Sequence, residues 1–236
     1  RIMIDKMVGK TEVALYGLAY SIGMLVQLFI SGMNSALTPW MYSKIKKGDI
    51  RSMRKVLQLL SIVVVGIAVA LMLISPELVL IFGSPKYREA VYVIPPVAAS
   101  VFFIFIYNIL SMPQFYYEKT QFLMAASMAA AGANVVLNFI FIRLFGYIAA
   151  GYTTLACYML YSVGHYIVSK RILVNEGIQE NLMNPGFLVA CSVFLIGASI
   201  ICNLIFPYRI LRYAILLASA GLVFWKKELL LKTMAD

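Results

Sequence analysis

The chain has 236 residues, 62% of them apolar and only 13% charged, with a mean hydropathy of +0.88 and a net charge of +10. Soluble domains carry about a quarter of their residues charged, so there are too few charges here to clothe a soluble globular surface. The excess positive charge sits in short links between apolar stretches, with no aromatic-laced basic face, which argues against nucleic-acid binding and for membrane orientation.

Taken in chain order, Arg1-Ile2-Met3-Ile4-Asp5-Lys6 has no initiator Met, signal-peptide pattern or polar leader. It is expected to be part of a longer chain. Stretches nearly free of charge then predict membrane helices over 13–38, 56–76, 91–112, 121–142 and 148–169, with two more in 181–208 and 213–225. About 20 apolar residues cross a 30 Å hydrocarbon core, and the last stretch reaches that length only if Arg209 and Arg212 snorkel to the interface. Backbone amides left unpaired in lipid are costly, so the spans must be helices; the alternating pattern of a membrane β-barrel is lacking. The expected fold is therefore an all-α polytopic bundle of about seven membrane helices. Residues 1–170 form a core bundle of five spans, 171–186 a cytoplasmic linker, and 187–236 two further helices with a short cytoplasmic tail.

The links orient the bundle. Residues 44–55 carry Lys44, Lys46, Lys47, Arg51, Arg54 and Lys55 against Asp49 alone, which marks this link as cytoplasmic. Alternation puts twelve basic residues in the inside links and tail and five in the outside links. The chain then starts outside, and its carboxy terminus is cytoplasmic. Pro76 and Gly83-Ser84-Pro85 predict a turn-rich external loop with a small interfacial piece at Glu77–Phe82. Pro95-Pro96 predicts a kink or helix start. Trp40, Tyr42, Tyr208, Tyr213 and Trp225 fit aromatic belts at span ends.

No Asp or Glu is expected in the middle of a span. The polar candidates for a substrate pathway are Gln27, Asn34, Asn108, Gln114, Asn134, Asn138 and Arg143, which suit hydroxyl groups and, for Arg143, phosphate. Interhelical hydrogen bonding is the competing account of each amide, and interfacial anchoring that of Arg143. His165 is placed near the cytoplasmic interface. The small residues 125–133, with Gly17, Gly23 and Gly32, suit close helix packing or bending. Cys157, Cys191, Cys202 and the lone His165 offer no ligand cluster, so no metal, cofactor or catalytic residue is assigned.

Several segments resemble the carboxy-terminal half of bacterial polysaccharide flippases, the lipid-linked oligosaccharide exporters of the multidrug/oligosaccharidyl-lipid/polysaccharide exporter superfamily. They are Arg1-Ile2-Met3-Ile4 with Met7-Val8-Gly9, Ser35-Ala36-Leu37-Thr38-Pro39-Trp40, Tyr87-Arg88-Glu89-Ala90 and Tyr117-Glu118-Lys119-Thr120. The most specific is Asn134-Val135-Val136-Leu137-Asn138, continuing to Arg143-Leu144-Phe145-Gly146 and Ala149-Ala150-Gly151-Tyr152-Thr153-Thr154. Arg143 stands where the family often has Pro, and Ala149 where it often has Gly. The resemblance covers about residues 1–170, and the last two helices fit members with fourteen.

That resemblance implies the second half of a transporter, not an enzyme. Its expected activity is flipping of lipid-linked oligosaccharide or polysaccharide repeat units for cell-surface polysaccharide (lipopolysaccharide O-antigen or capsule) across the bacterial cytoplasmic membrane. Implied partners are an undecaprenyl-pyrophosphate-linked oligosaccharide, membrane lipids, the missing amino-terminal half, a polysaccharide polymerase and glycosyltransferases. A multidrug or other small-molecule exporter of the same superfamily is the nearest alternative. A noncatalytic scaffold or membrane-bound glycosyltransferase is more distant.

Overall fold

A computed structural model describes residues 1–225, and those residues are helical throughout, with short links. The lysine-bearing tail from Lys226 lies outside the described residues. Short α1 (Ile2–Met7) leads into α2 (Lys10–Gly23) and α3 (Leu25–Lys46), followed by α4 (Ile50–Phe82). A 3-10 helix (Pro85–Val93) feeds α5 (Ile94–Tyr116), and then come α6 (Gln121–Phe145), α7 (Ala149–Asn175), α8 (Pro185–Ile205) and α9 (Arg209–Trp225).

Helix α5 is the core of the bundle. Its most apolar window, with the 3-10 helix, is 89% buried, because α2, α3, α4, α7 and α8 all pack around it. Phe102, Phe105, Ile106 and Ile109 are almost wholly enclosed. Pro95 and Pro96 sit in its first turn, where proline's missing N–H costs nothing, so they start the helix. Helix α6 is the opposite case, only 6% buried over its apolar window and packed mainly on α7. Gly146 (φ +73°) closes α6 in the left-handed region, and α7 starts three residues later.

Five runs are long and apolar enough to cross a membrane: Lys10–Lys46, Ile50–Phe82, Pro85–Tyr116, Gln121–Phe145 and Pro185–Ile205. Helix α7 has the length but carries Thr153, Thr154, Ser162, His165 and Ser169 along it. Helix α9, at 17 residues, spans about 25 Å. The first expected span is two helices joined at Met24, not one. Gly23 permits this join against α5: a Cβ there would lie 2.5 Å from Val97 Cγ1. Gly17 and Gly32 meet no neighbouring helix so closely.

Two expectations fail in the second link. Pro76 does not end the second span, and Glu77–Phe82 is not a separate interfacial piece; α4 runs through both to Phe82. Proline removes the hydrogen bond to Met72 O, and the Ser75 hydroxyl donates to that carbonyl instead at 2.8 Å. Nor does Arg212 snorkel. Its side chain is 4% exposed and forms a bidentate pair with Glu77, Nη1–Oε2 2.8 Å and Nη2–Oε1 2.9 Å. Nη1 also donates to Leu73 O (2.6 Å), and the Tyr213 hydroxyl donates to Glu77 Oε1 (2.9 Å). The Glu77 carboxylate, near the end of the Ile50–Phe82 run, thus ties α4 to α9.

Candidate functional site

Helices α2, α5, α6 and α7 enclose a cleft, with Arg1 at one end. It comprises two adjoining cavities of 620 and 420 Å³ that share Arg1, Tyr16, Asn134 and Thr154 as walls. Helical spacing builds the lining. Tyr16 and Tyr20 lie one turn apart on α2, and Tyr158 and Tyr161 one turn apart on α7; Tyr107 comes from α5. The Tyr16 and Tyr20 rings stack at 5.9 Å, Tyr107 lies parallel to Tyr158 at 6.2 Å, and Tyr161 meets Tyr107 edge-on at 4.8 Å. The Arg1 guanidinium sits 5.7 Å from the Tyr20 ring centroid. Among the described residues, no carboxylate lines either cavity.

The α6 wall carries the amides. Asn138 Nδ2 donates to Asn134 Oδ1 at 2.8 Å, Asn134 Nδ2 contacts Cys157 Sγ at 3.6 Å, and Thr153 Oγ1 donates to Asn138 Oδ1 at 2.7 Å. This chain cross-links α6 to α7, yet Asn134 lines both cavities and Asn138 the smaller one. Ser127, nearer the start of α6, shares a 2.9 Å hydrogen bond with the Tyr161 hydroxyl. Within the small-residue run of α6, Ala130 and Ala131 form part of the cleft wall beside α7, and no residue before Ile142 on this helix is buried. Small side chains here leave room.

The remaining candidates lie elsewhere. Asn108 Nδ2 returns to Ile104 O of its own helix at 2.8 Å. Gln27 and Asn34 are half-buried on α3, each with a carbonyl oxygen that has no partner. Arg143 is exposed at the end of α6, its guanidinium 4.1 Å from the Phe139 ring centroid, outside both cavities. Gln114 is fully buried against His165, Nε2 to Nδ1 at 2.8 Å. His165 is thus not interfacial but enclosed, with Phe122 of α6 and the cleft tyrosines 107 and 161 around its ring. The sequence does not single out the five tyrosines, since aromatics are expected at span ends. The mid-span pairs Tyr16/Tyr20 and Tyr158/Tyr161 were the available signal.

A protein-family model, MatE, matches residues 1–140, more than half of the chain. The chain belongs to the MatE family. The match takes in Arg1, Tyr16, Tyr20, Tyr107, Asn134 and Asn138, and stops before the α7 wall of the cleft. MatE proteins are multi-pass membrane transporters of the multidrug/oligosaccharidyl-lipid/polysaccharide exporter superfamily rather than enzymes. No curated protein and no solved structure matches this chain.

Proposed function

We propose that this MatE chain forms the carboxy-terminal half of a flippase for lipid-linked oligosaccharide or polysaccharide repeat units in the bacterial cytoplasmic membrane. The observation that carries the reading is the composition of the cleft: five tyrosines, paired amides, hydroxyls and one guanidinium, with no carboxylate among the described residues. The apolar faces of sugar rings pack on aromatic rings, and their hydroxyls exchange hydrogen bonds with Asn134, Ser127 and Thr154. Arg1 supplies the charge and fork geometry that suit a phosphate. A lipophilic cation would favour an acidic aromatic chamber instead.

In this reading the amino-terminal half of the same chain supplies the facing wall, and the two halves rock to open the cleft to each side in turn. The polyprenyl tail stays in the bilayer while the sugar and pyrophosphate cross through the cleft. A polymerase and glycosyltransferases handle the repeat unit on either side of this step. The test is equilibrium binding to the purified full-length protein, comparing an undecaprenyl-pyrophosphate oligosaccharide with a planar lipophilic cation. Tyr158→Ala and Asn134→Ala should each weaken oligosaccharide binding about tenfold, the loss of one good contact. Tight binding of the cation without binding of the lipid-linked sugar would move the chain to small-molecule export.

A further inference from the structure

The turn between α3 and α4 carries six cations, and the structure divides them into two groups with different work. Lys44 Nζ donates to Asp49 Oδ2 at 2.6 Å and to Ser52 Oγ at 3.1 Å, closing the turn on itself. Arg54 Nε donates to Asn181 O at 2.7 Å, with its guanidinium 3.5 Å from Glu180, fastening the turn to the link between α7 and α8. Lys46, Lys47, Arg51 and Lys55 do neither. All four side chains are exposed, and none has a carboxylate partner among the described residues.

Their placement works against the local helix. Arg51 lies in the first turn of α4, beside the positive end of its dipole where a cation is unfavourable, and Lys55 follows one turn later. Lys46 and Lys47 stand just across the turn and add like-charge repulsion. The nearby acid, Asp49, is already spent on Lys44 and on capping Ser52 N. Apart from the Coulombic pull of Asp49 on Lys47, no carboxylate among the described residues faces these charges, which leaves them open to an external anion. Lys170 and Arg171, exposed near the end of α7, add to the positive field at this end of the bundle.

The chain next to the patch says where that anion lies. From Val56 to Pro76 the helix α4 carries no charged residue, so the four cations sit where a membrane span leaves the hydrocarbon. Clusters of four or more basic residues beside a span attract anionic headgroups. We propose that Lys46, Lys47, Arg51 and Lys55 form a binding surface for anionic phospholipid, engaging headgroup phosphates of the phosphatidylglycerol type. The lysines act as mobile point charges and Arg51 as the one fork able to grip a phosphate through two donors. The surface is separate from the tyrosine cleft and does not depend on what the cleft carries.

The experiment uses delipidated full-length protein, titrated with phosphatidylglycerol or phosphatidylcholine and read by native mass spectrometry as lipids retained per molecule. Wild type should retain phosphatidylglycerol in preference to phosphatidylcholine. The quadruple variant Lys46→Gln, Lys47→Gln, Arg51→Gln, Lys55→Gln should bind it at least about tenfold more weakly. A variant with the three lysines changed to Arg should keep the preference, which separates charge from folding. Unchanged phosphatidylglycerol binding in the Gln variant would overturn the proposal. So would equal retention of both lipids by wild type, or displacement of phosphatidylglycerol by millimolar inorganic phosphate, which would make the patch a soluble-anion site.

Discussion

Arg212→Met leaves the Glu77 carboxylate, 26% exposed, beside the contact of α4 and α9 without its bidentate partner, facing only the weaker, unbridged charge of Arg209. Removing one partner of a buried pair costs about 3–5 kcal/mol, toward the lower end here because Glu77 is partly open. The full-length protein should therefore melt at a clearly lower temperature, and Glu77→Leu combined with Arg212→Met should recover most of the loss. Asp49 gives a second residue-scale prediction. Its hydrogen bond to Lys44 holds the carboxyl below its ordinary value of 3.8. A depressed folded value means a contribution complete above 3.8 and lost as pH falls through the folded value. Hydrogen exchange at Ser52 N, which Asp49 caps, should accelerate relative to the rest of α4 on going from about pH 5 to about pH 3. Lys44→Met should make that acceleration smaller. Neither partnership was legible in the sequence. Glu77 and Arg212 are 135 residues apart, and each falls at the edge of an apolar stretch, where a charge ordinarily reads as an interfacial anchor.

At the scale of elements, hydropathy located the helices well, because lipid leaves the backbone no alternative to internal hydrogen bonding. It placed the breaks poorly. Pro76 reads as a stop, but Ser75 satisfies the carbonyl that proline frees and α4 continues. Gly23 reads as one of three similar glycines, and only its contact with Val97 singles it out. Gly23→Ala should destabilise the α2–α3 join by about 1–3 kcal/mol, the usual cost of overpacking. Gly32→Ala, with open space at its Cβ, should be neutral or stabilising by up to about 1 kcal/mol through helix propensity. Thermal unfolding of the two variants side by side checks this. The small residues of α6 show the same limit from the other direction. Their composition suits a helix neighbour or an open wall equally, and only the surrounding helices show that Ala130 and Ala131 border a cleft.

For the molecule as a whole, the arrangement has one buried helix, α5, and one nearly bare helix, α6, with the cleft between their neighbours. The all-helical membrane fold was legible from composition, since 62% apolar and 13% charged residues admit little else. The amides of the cleft were half legible: Asn134 and Asn138, four apart, announce a shared face, whereas Asn34, Asn108 and Arg143 look similar in sequence and lie elsewhere. The tyrosines were not, because a single mid-span tyrosine does not stand out in a chain with fifteen of them, and its hydroxyl matters only once α2, α5 and α7 bring five together. That convergence underlies the flippase reading, and leaflet-resolved movement of an undecaprenyl-pyrophosphate oligosaccharide tests it most directly. Vesicles holding the full-length protein should show saturable movement above protein-free vesicles, slowed about tenfold by Tyr158→Ala or Asn134→Ala in folded protein. No movement of several such lipid-linked sugars by well-folded protein, alongside export of a small lipophilic cation, would contradict it.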